Sequence, residues 1–410
     1  MAMAAPVRGR DVRLDVFRGL ALLIIFITHV PGLVFAGFTP RAFGFADAAE
    51  AFVLLAGLAA YHAYSRPFLK AELTTGAIMR GSLPIFTRVW QLYVTHVALV
   101  VLVTGILAYA AQRFGDPEYL EASGLDVLLS QPAETVLGIM TLTFLPHFLD
   151  ILPMYVILLA ALPLAALALR VHWALPLLMS AALYGAVQVT GLNLPNMNAS
   201  SVWFFNPFAW QFLFVLGFVV SHLAAAGRLD GLFARGALLK VVTVLALGYV
   251  AFTVLAAAPW RQFAAFANIE VLDPAYLPLA DKTNLTPLRL FDALAKFWLI
   301  AVLVDRGAAW LDTGAGRMLA LAGRHSLPVF VLGLVASTIA TVLVKQAAYG
   351  LGVQFAVTLG GVALLIGFAA LLDWQARTLK REAAARPAPE APQGAAAPLM
   401  GKVMAQPSTK

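Results

Sequence analysis

An all-α bundle of about ten transmembrane helices, with both termini on the cytoplasmic side, is the fold that this sequence predicts. Three observations lead to it. The 410 residues are 61% hydrophobic and only 12% charged, where soluble chains carry about 25% charge. The apolar residues fall into long runs rather than an amphipathic period, with a mean hydropathy of +0.85. The basic residues sit in the short segments between those runs, on alternate sides.

Ten segments are long and apolar enough to span: residues 14–35, 48–64, 83–111, 151–169, 173–190, 207–224, 237–257, 288–304, 327–347 and 351–374. The first has basic residues before it, as a secretory signal would. It also contains His29 and no clear small-x-small cleavage site, so it is read as a retained span. Segment 127–144 is weaker and is read as a re-entrant or interfacial helix.

Charge tests this count, because an additional span would invert everything after it. With the N-terminus inside, the inner segments hold Arg8, Arg10, Arg13 and Arg18; Arg66, Lys70, Arg80 and Arg88; Arg170; Arg228, Arg235 and Lys240; Arg306, Arg317 and Arg324; and Arg377, Lys380, Arg381 and Arg386. The outer segments hold Arg41, Arg113, Arg261, Lys282, Arg289 and Lys345. The bias alternates without a break. The expected organisation is a cytoplasmic segment over 1–12, a transmembrane domain over 13–375 and a disordered Ala/Pro-rich cytoplasmic tail over 376–410.

Composition also excludes function classes. The chain has no cysteine, so disulfides, thiolate catalysis and sulfur-based metal sites are ruled out. The seven histidines form no HxH or HxxxH pair, and no metal site is expected. The net charge of +7 is explained by topology, so nucleic acid is not an expected partner; the bilayer is. No internal repeat supports an inverted-repeat transporter.

Ionisable groups within spans are costly and mark candidate sites. Arg18 and His29 are eleven residues apart, a net rotation of about 20° and a rise of about 16 Å on one helix face. Asp15 shares that face. Asp47 and Glu50 open the second span as an i,i+3 pair, across a short connection from His29. A carboxylate there would orient the imidazole and raise its basicity, making His29 a general base. Asp47 alone reads more readily as a helix N-cap than as a catalyst, and a lone intramembrane histidine can also be a packing residue.

Arg80, Arg88, Arg324 and His325 cluster at inner span ends, where they suit either donor phosphates or topology. Asn206, Trp210 and Gln211 open the sixth span; they suit a sugar ring or an aromatic belt and helix start. Asp281, Lys282 and Arg289 form a second outer polar group, with Asp150 at the start of the fourth span.

Five stretches carry a resemblance: residues 13–29 (RLDVFRGLALLIIFITH), 47–58 (DAAEAFVLLAGL), 149–159 (LDILPMYVILL), 206–217 (NPFAWQFLFVLG) and 323–333 (GRHSLPVFVLG). Arg18-x10-His29 resembles the signature of the acyltransferase-3 superfamily. The five together resemble, more narrowly, the OpgC family, which succinylates osmoregulated periplasmic glucans. That resemblance implies a bacterial inner-membrane protein with no tightly bound cofactor. It implies acyl-CoA, most specifically succinyl-CoA, as co-substrate from the cytoplasm. It also implies a periplasmic glucan as acceptor, an essential histidine at His29, and Arg18 supporting the donor or the histidine. Many superfamily members carry Arg-x-x-Arg after the second span; here Arg80 and Arg88 are eight apart, a departure at the expected donor-phosphate contacts. The competing expectations are an O-acetyltransferase of a surface glycan and, from another class, a proton-coupled transporter or glucan exporter using His29 and Glu50 as a relay. Oligomeric state is not legible in the sequence.

Overall fold

The structure is a computed structural model that describes residues 11–70, 72–197, 202–229, 231, 236–257 and 279–385. Arg8, Arg10, Arg235, Arg261, Arg386, most of the outer loop expected over 258–287, and tail residues 386–410 lie outside the described residues.

The described residues are helical, and their only β pairing is an isolated bridge between Pro195 and Val202. The helices are α1 (Val12–Thr28), α2 (Ala48–Tyr64), α3 (Thr75–Phe114), α4 (Glu118–Glu121), α5 (Val127–Ser130), α6 (Pro132–Thr141), α7 (Ile151–Val171), α8 (Ala174–Thr190), α9 (Pro207–Ala225), α10 (Ala237–Ala257), α11 (Pro287–Leu303), α12 (Gly314–Arg324), α13 (Ser326–Gln346) and α14 (Leu351–Ala385). Each of the ten predicted segments has its helix. Six of them, α3, α7, α9, α10, α13 and α14, are long and apolar enough to cross a membrane; α2 and α8 are shorter apolar helices.

Large apolar side chains point outward along these helices, as with Trp90 and Val101 on α3, Leu164 on α7, Val189 on α8 and Leu359 on α14. Water would penalise such a surface, and hydrocarbon would not.

The structure departs from the sequence expectations in four places. The first segment is helical only to Thr28, not to residue 35, and His29 caps it. Pro31 lacks an N–H and Gly32 sits at φ +79°, so the chain turns there and continues as short 3-10 turns. The third segment becomes a forty-residue helix of about 60 Å, twice the hydrocarbon thickness, because Thr74 caps it well before the apolar run begins. The weak segment 127–144 is, as expected, no span, since both its helices are too short to cross; it departs only in breaking at Pro132 into two helices, α5 and α6. Finally, α14 continues to Ala385, past the boundary expected at 376.

α1 is the hub of the bundle and packs against α2, α12, α13 and α14. Two of its neighbourhoods depend on glycine. A Cβ on Gly19 would overlap the Leu319 carbonyl of α12, and one on Gly323 would overlap the Asp15 carbonyl of α1. Likewise Gly57 of α2 abuts the Phe214 carbonyl of α9, and Gly217 of α9 abuts the Leu54 carbonyl of α2. Small residues let helix backbones touch where lipid supplies no hydrophobic drive. Four of the five stretches quoted above therefore meet in two pairs through their glycines.

Candidate active site

His29 closes α1. Its backbone N–H donates to the Ile25 carbonyl at 3.0 Å, and its ring Nδ1 lies 2.7 Å from the same oxygen. A carbonyl only accepts, so Nδ1 carries the proton and, in the neutral ring, Nε2 is the basic nitrogen. The ring meets Phe148 edge-on, with centroids 5.3 Å apart. Together they line a cavity of about 120 Å³ at the end of the bundle where α2 begins.

The wall of this outer cavity on α13 carries Ser337, Thr338 and Thr341, each donating to a carbonyl of its own helix at 2.8–2.9 Å. Their oxygens keep lone pairs for another donor. At the rim, Lys345 bonds Asp116 and Glu118 at 2.6 Å each and lies over the Tyr119 ring. Two rim residues, Phe148 and Tyr349, hold positive φ (+70° and +59°), a conformation that costs a side-chain-bearing residue about 1–3 kcal/mol. Both are fixed in place: Phe148 by His29, Tyr349 by packing its ring on Gly32.

The carboxylates expected to hold the imidazole do something else. Asp47 caps α2, accepting from Ala49 N–H at 2.8 Å, and pairs with Lys282 at 2.6 Å. Burial pushes its carboxyl up, but Lys282 and Arg289 outweigh that and hold it below the usual carboxylate range. Glu50 closes the capping box on Asp47 N–H at 2.8 Å and pairs with Arg289 at 2.9 Å. Both carboxylates are committed to helix start and ion pair, and the imidazole is oriented by Ile25 instead. Asp47 turns to Lys282, in the segment before α11, and Glu50 to Arg289, in the first turn of α11.

A second cavity, of about 200 Å³, opens from the opposite end of the bundle. Arg18 and Arg88 line it, with Phe52, Tyr155 and Phe330. Arg18 donates to the Leu55 carbonyl at 3.1 Å and lies 4.0 Å from Asp15. Arg324 reaches the other oxygen of Asp15 at 4.0 Å, and His325 lies 3.8 Å from Asp373. Arg80 is exposed on α3 and, like Arg324 and His325, is not among the cavity's lining residues. Of the expected donor group, the fold gathers Arg18 and Arg88.

The two cavities are stacked on the same helices. Arg18 and His29 belong to α1, Leu92 and Val103 to α3, and Phe330 and Leu334 to α13, the first of each pair lining the inner cavity and the second the outer. Between them Phe52 stacks on Phe330 (6.0 Å) and meets Tyr155 edge-on (5.8 Å).

The residues expected to face a sugar are occupied. Asn206, fully buried, caps α9 through Phe208 N–H and donates to the Leu192 carbonyl and Asn284 side chain. Trp210, also buried, donates to the Lys282 and Thr283 carbonyls. Gln211 is paired with Ser180 of α8. Asp281 closes a turn on Thr283 and Asn284 N–H, and Arg289 adds a bond to the Ala280 carbonyl. These groups fasten the segment before α11 onto α2 and α9, so the helix-start reading is the one the geometry supports. Asp150 is buried beside the outer-cavity residue Leu149, and burial pushes its carboxyl up to about 6.

Sequence reasoning missed Phe148, Tyr349, the α13 hydroxyls and Tyr155. The hydroxyls had a signal: Ser337, Thr338 and Thr341 share one face of an otherwise apolar run. Among the described residues no group of three or more His, Asp or Glu side chains is arranged to hold a metal ion.

The fold and site define a polytopic helical membrane protein with a histidine lining one cavity and two arginines lining another stacked on the same helices. The chain belongs to the OpgC family: the family model described as "OpgC protein" matches residues 10–377, nearly the whole helical region. Comparison with curated proteins and with solved structures finds no match.

Proposed function

We propose that this protein is a membrane acyltransferase that moves a succinyl group from cytoplasmic succinyl-CoA to a hydroxyl of a periplasmic glucan. The chain would cross the inner membrane ten times with both termini in the cytoplasm. The observation that carries the reading is that His29 and Arg18, on one face of one helix, line two cavities stacked along it. Family membership supports the same chemistry through the resemblance described above.

In this reading the donor enters the inner cavity, with Arg18 and Arg88 near its phosphates. The thioester passes the Phe52–Tyr155–Phe330 layer to reach His29. His29 Nε2 takes the hydroxyl proton as that oxygen attacks the thioester carbonyl carbon. The C–S bond then breaks, and the departing thiolate takes the proton back from the imidazolium. Nδ1–H on the Ile25 carbonyl keeps Nε2 as the base throughout. The glucan enters past the α13 hydroxyls.

The test is transfer in isolated membranes, with labelled succinyl-CoA or acetyl-CoA and a periplasmic-type glucan, for wild type and His29→Gln at matched expression. Label moving from succinyl-CoA, and falling at least a hundredfold in the variant, is expected. Transfer from acetyl-CoA alone keeps the mechanism and replaces the acyl group. No transfer from either donor by folded wild type rejects the reading in favour of transport, and full activity in His29→Gln removes the histidine from the chemistry.

A further inference from the structure

Three buried side chains among the described residues carry polar atoms without a hydrogen-bond partner in the protein: the His96 ring nitrogens, the Thr104 hydroxyl and the Tyr155 hydroxyl. His96 and Thr104 line neither cavity; Tyr155 lines the inner one, with its residue surface 6% exposed. A buried hydroxyl left unpaired costs about 1–3 kcal/mol, so its working partner is something that enters the cavity.

The surroundings say what enters. On one side lie Ala56, Ala59, Ala60 and Ala63. They recur at i, i+3, i+4 and i+7, one face of α2, and their methyls leave a narrow slot along the helix. Arg18 of α1 and Arg88 of α3 bring cationic charge to the lining of the same cavity. Phe52 and Phe330, stacked on each other, line the inner cavity and not the outer one. A slender, mostly apolar chain with isolated carbonyls, ending in anionic groups, fits these features. A sugar fits less well: the polar lining is three hydroxyl residues, Tyr64, Tyr155 and Ser326, and two arginines, set among alanine, leucine and phenylalanine walls that cannot satisfy its ring of hydroxyls.

We infer that the Tyr155 hydroxyl donates a hydrogen bond to an amide carbonyl of the pantetheine arm of coenzyme A, fixing the arm in the alanine slot below the aromatic layer. The inference rests on the acyl-CoA donor proposed above and adds a donor-binding residue. Tyr155 is then a binding group that sets donor affinity and leaves acceptor binding untouched.

The experiment is Tyr155→Phe, which removes one oxygen atom that the folded protein leaves unpaired. Binding of free coenzyme A, which has the arm but no acyl group, is measured on the full chain in detergent by calorimetry. Apparent melting temperature without ligand is the folding control, expected to be equal to or above wild type. Coenzyme A binding is expected to weaken, and KM for the donor to rise, by about 3–10-fold, the worth of one hydrogen bond. KM for glucan and kcat stay within twofold. Wild type that binds coenzyme A and transfers nothing refutes the acyl-transfer reading while the Tyr155 assignment stands on its Kd shift. An unchanged Kd in a folded, active Tyr155→Phe overturns the assignment and makes the hydroxyl's partner a water. Wild type with no coenzyme A affinity overturns both.

Discussion

Glu50→Ala is the perturbation that best separates a structural carboxylate from a catalytic one. Its side chain is 1% exposed, with one oxygen on the Asp47 N–H at 2.8 Å and the other on Arg289 at 2.9 Å. Arg289 is itself only 13% exposed. Removing Glu50 leaves that guanidinium buried without its partner, a loss of about 3–5 kcal/mol. For 410 residues that is a fall of about 4–6 °C in apparent melting temperature. Glu50→Gln keeps the shape and one acceptor oxygen and falls between. The double change Glu50→Gln with Arg289→Gln removes both charges together and is expected to recover most of the loss, since two amides can still bond each other. The assay is thermal unfolding of detergent-solubilised protein, read by monodispersity after heating, on Glu50→Ala and on the cycle of wild type, Glu50→Gln, Arg289→Gln and the double variant. The reasoning is refuted if Glu50→Ala melts within 1 °C of wild type. It is also refuted if Glu50→Gln is fully stable yet inactive, which would return Glu50 to the chemistry of His29.

Two further outcomes follow from packing and charge. Gly19→Ala places a methyl on the Leu319 carbonyl and is expected to destabilise by at least about 1–3 kcal/mol, seen as lower yield of monodisperse protein. The control is Gly333→Ala, whose methyl would meet Leu365 at 3.7 Å, an ordinary contact, and is expected to behave as wild type. The Lys345 ammonium bonded to Asp116 holds that exposed carboxyl below its ordinary 3.8. A lowered folded pKa gives stability that is present above the unfolded value and lost as pH falls through the folded one. Hydrogen exchange of residues 115–121 is therefore expected to be flat from pH 7 to about 5, after correction for intrinsic rates, and to rise only below about pH 4. A rise beginning near pH 6 would show that another group governs the clasp.

Much of the helix pattern was legible because it is local. Each span is one apolar run, and its ends are set by residues on the spot: Asp11 before α1, Asp47 before α2, Thr74 before α3 and Asn206 before α9 all bond the first turn of the helix that follows. The Arg18–His29 register needed only helical periodicity, and Asp47 as a cap was one of the two readings its position allowed. α12 was not legible, since its Gly- and Ala-rich run has neither the length nor the hydropathy of a span. It is held by the close approach of Gly19 and Gly323, about 300 residues apart on a chain that must first fold to bring them together.

The ten apolar helices and the face of α1 that carries both Arg18 and His29 follow from the amino-acid sequence alone, because hydropathy and helical period act within a few residues. Only the tertiary structure decided which acid meets which base. Lys282 and Arg289, more than 230 residues away, take Asp47 and Glu50. The imidazole is left to the Ile25 carbonyl, four residues back. The reason is that a buried charge takes whichever opposite charge the packing brings within about 3 Å, and that choice is made by helix neighbours, not by distance along the chain. The same packing stacked the two cavities on α1, α3 and α13 and left the Tyr155 hydroxyl of the inner one without a partner in the protein.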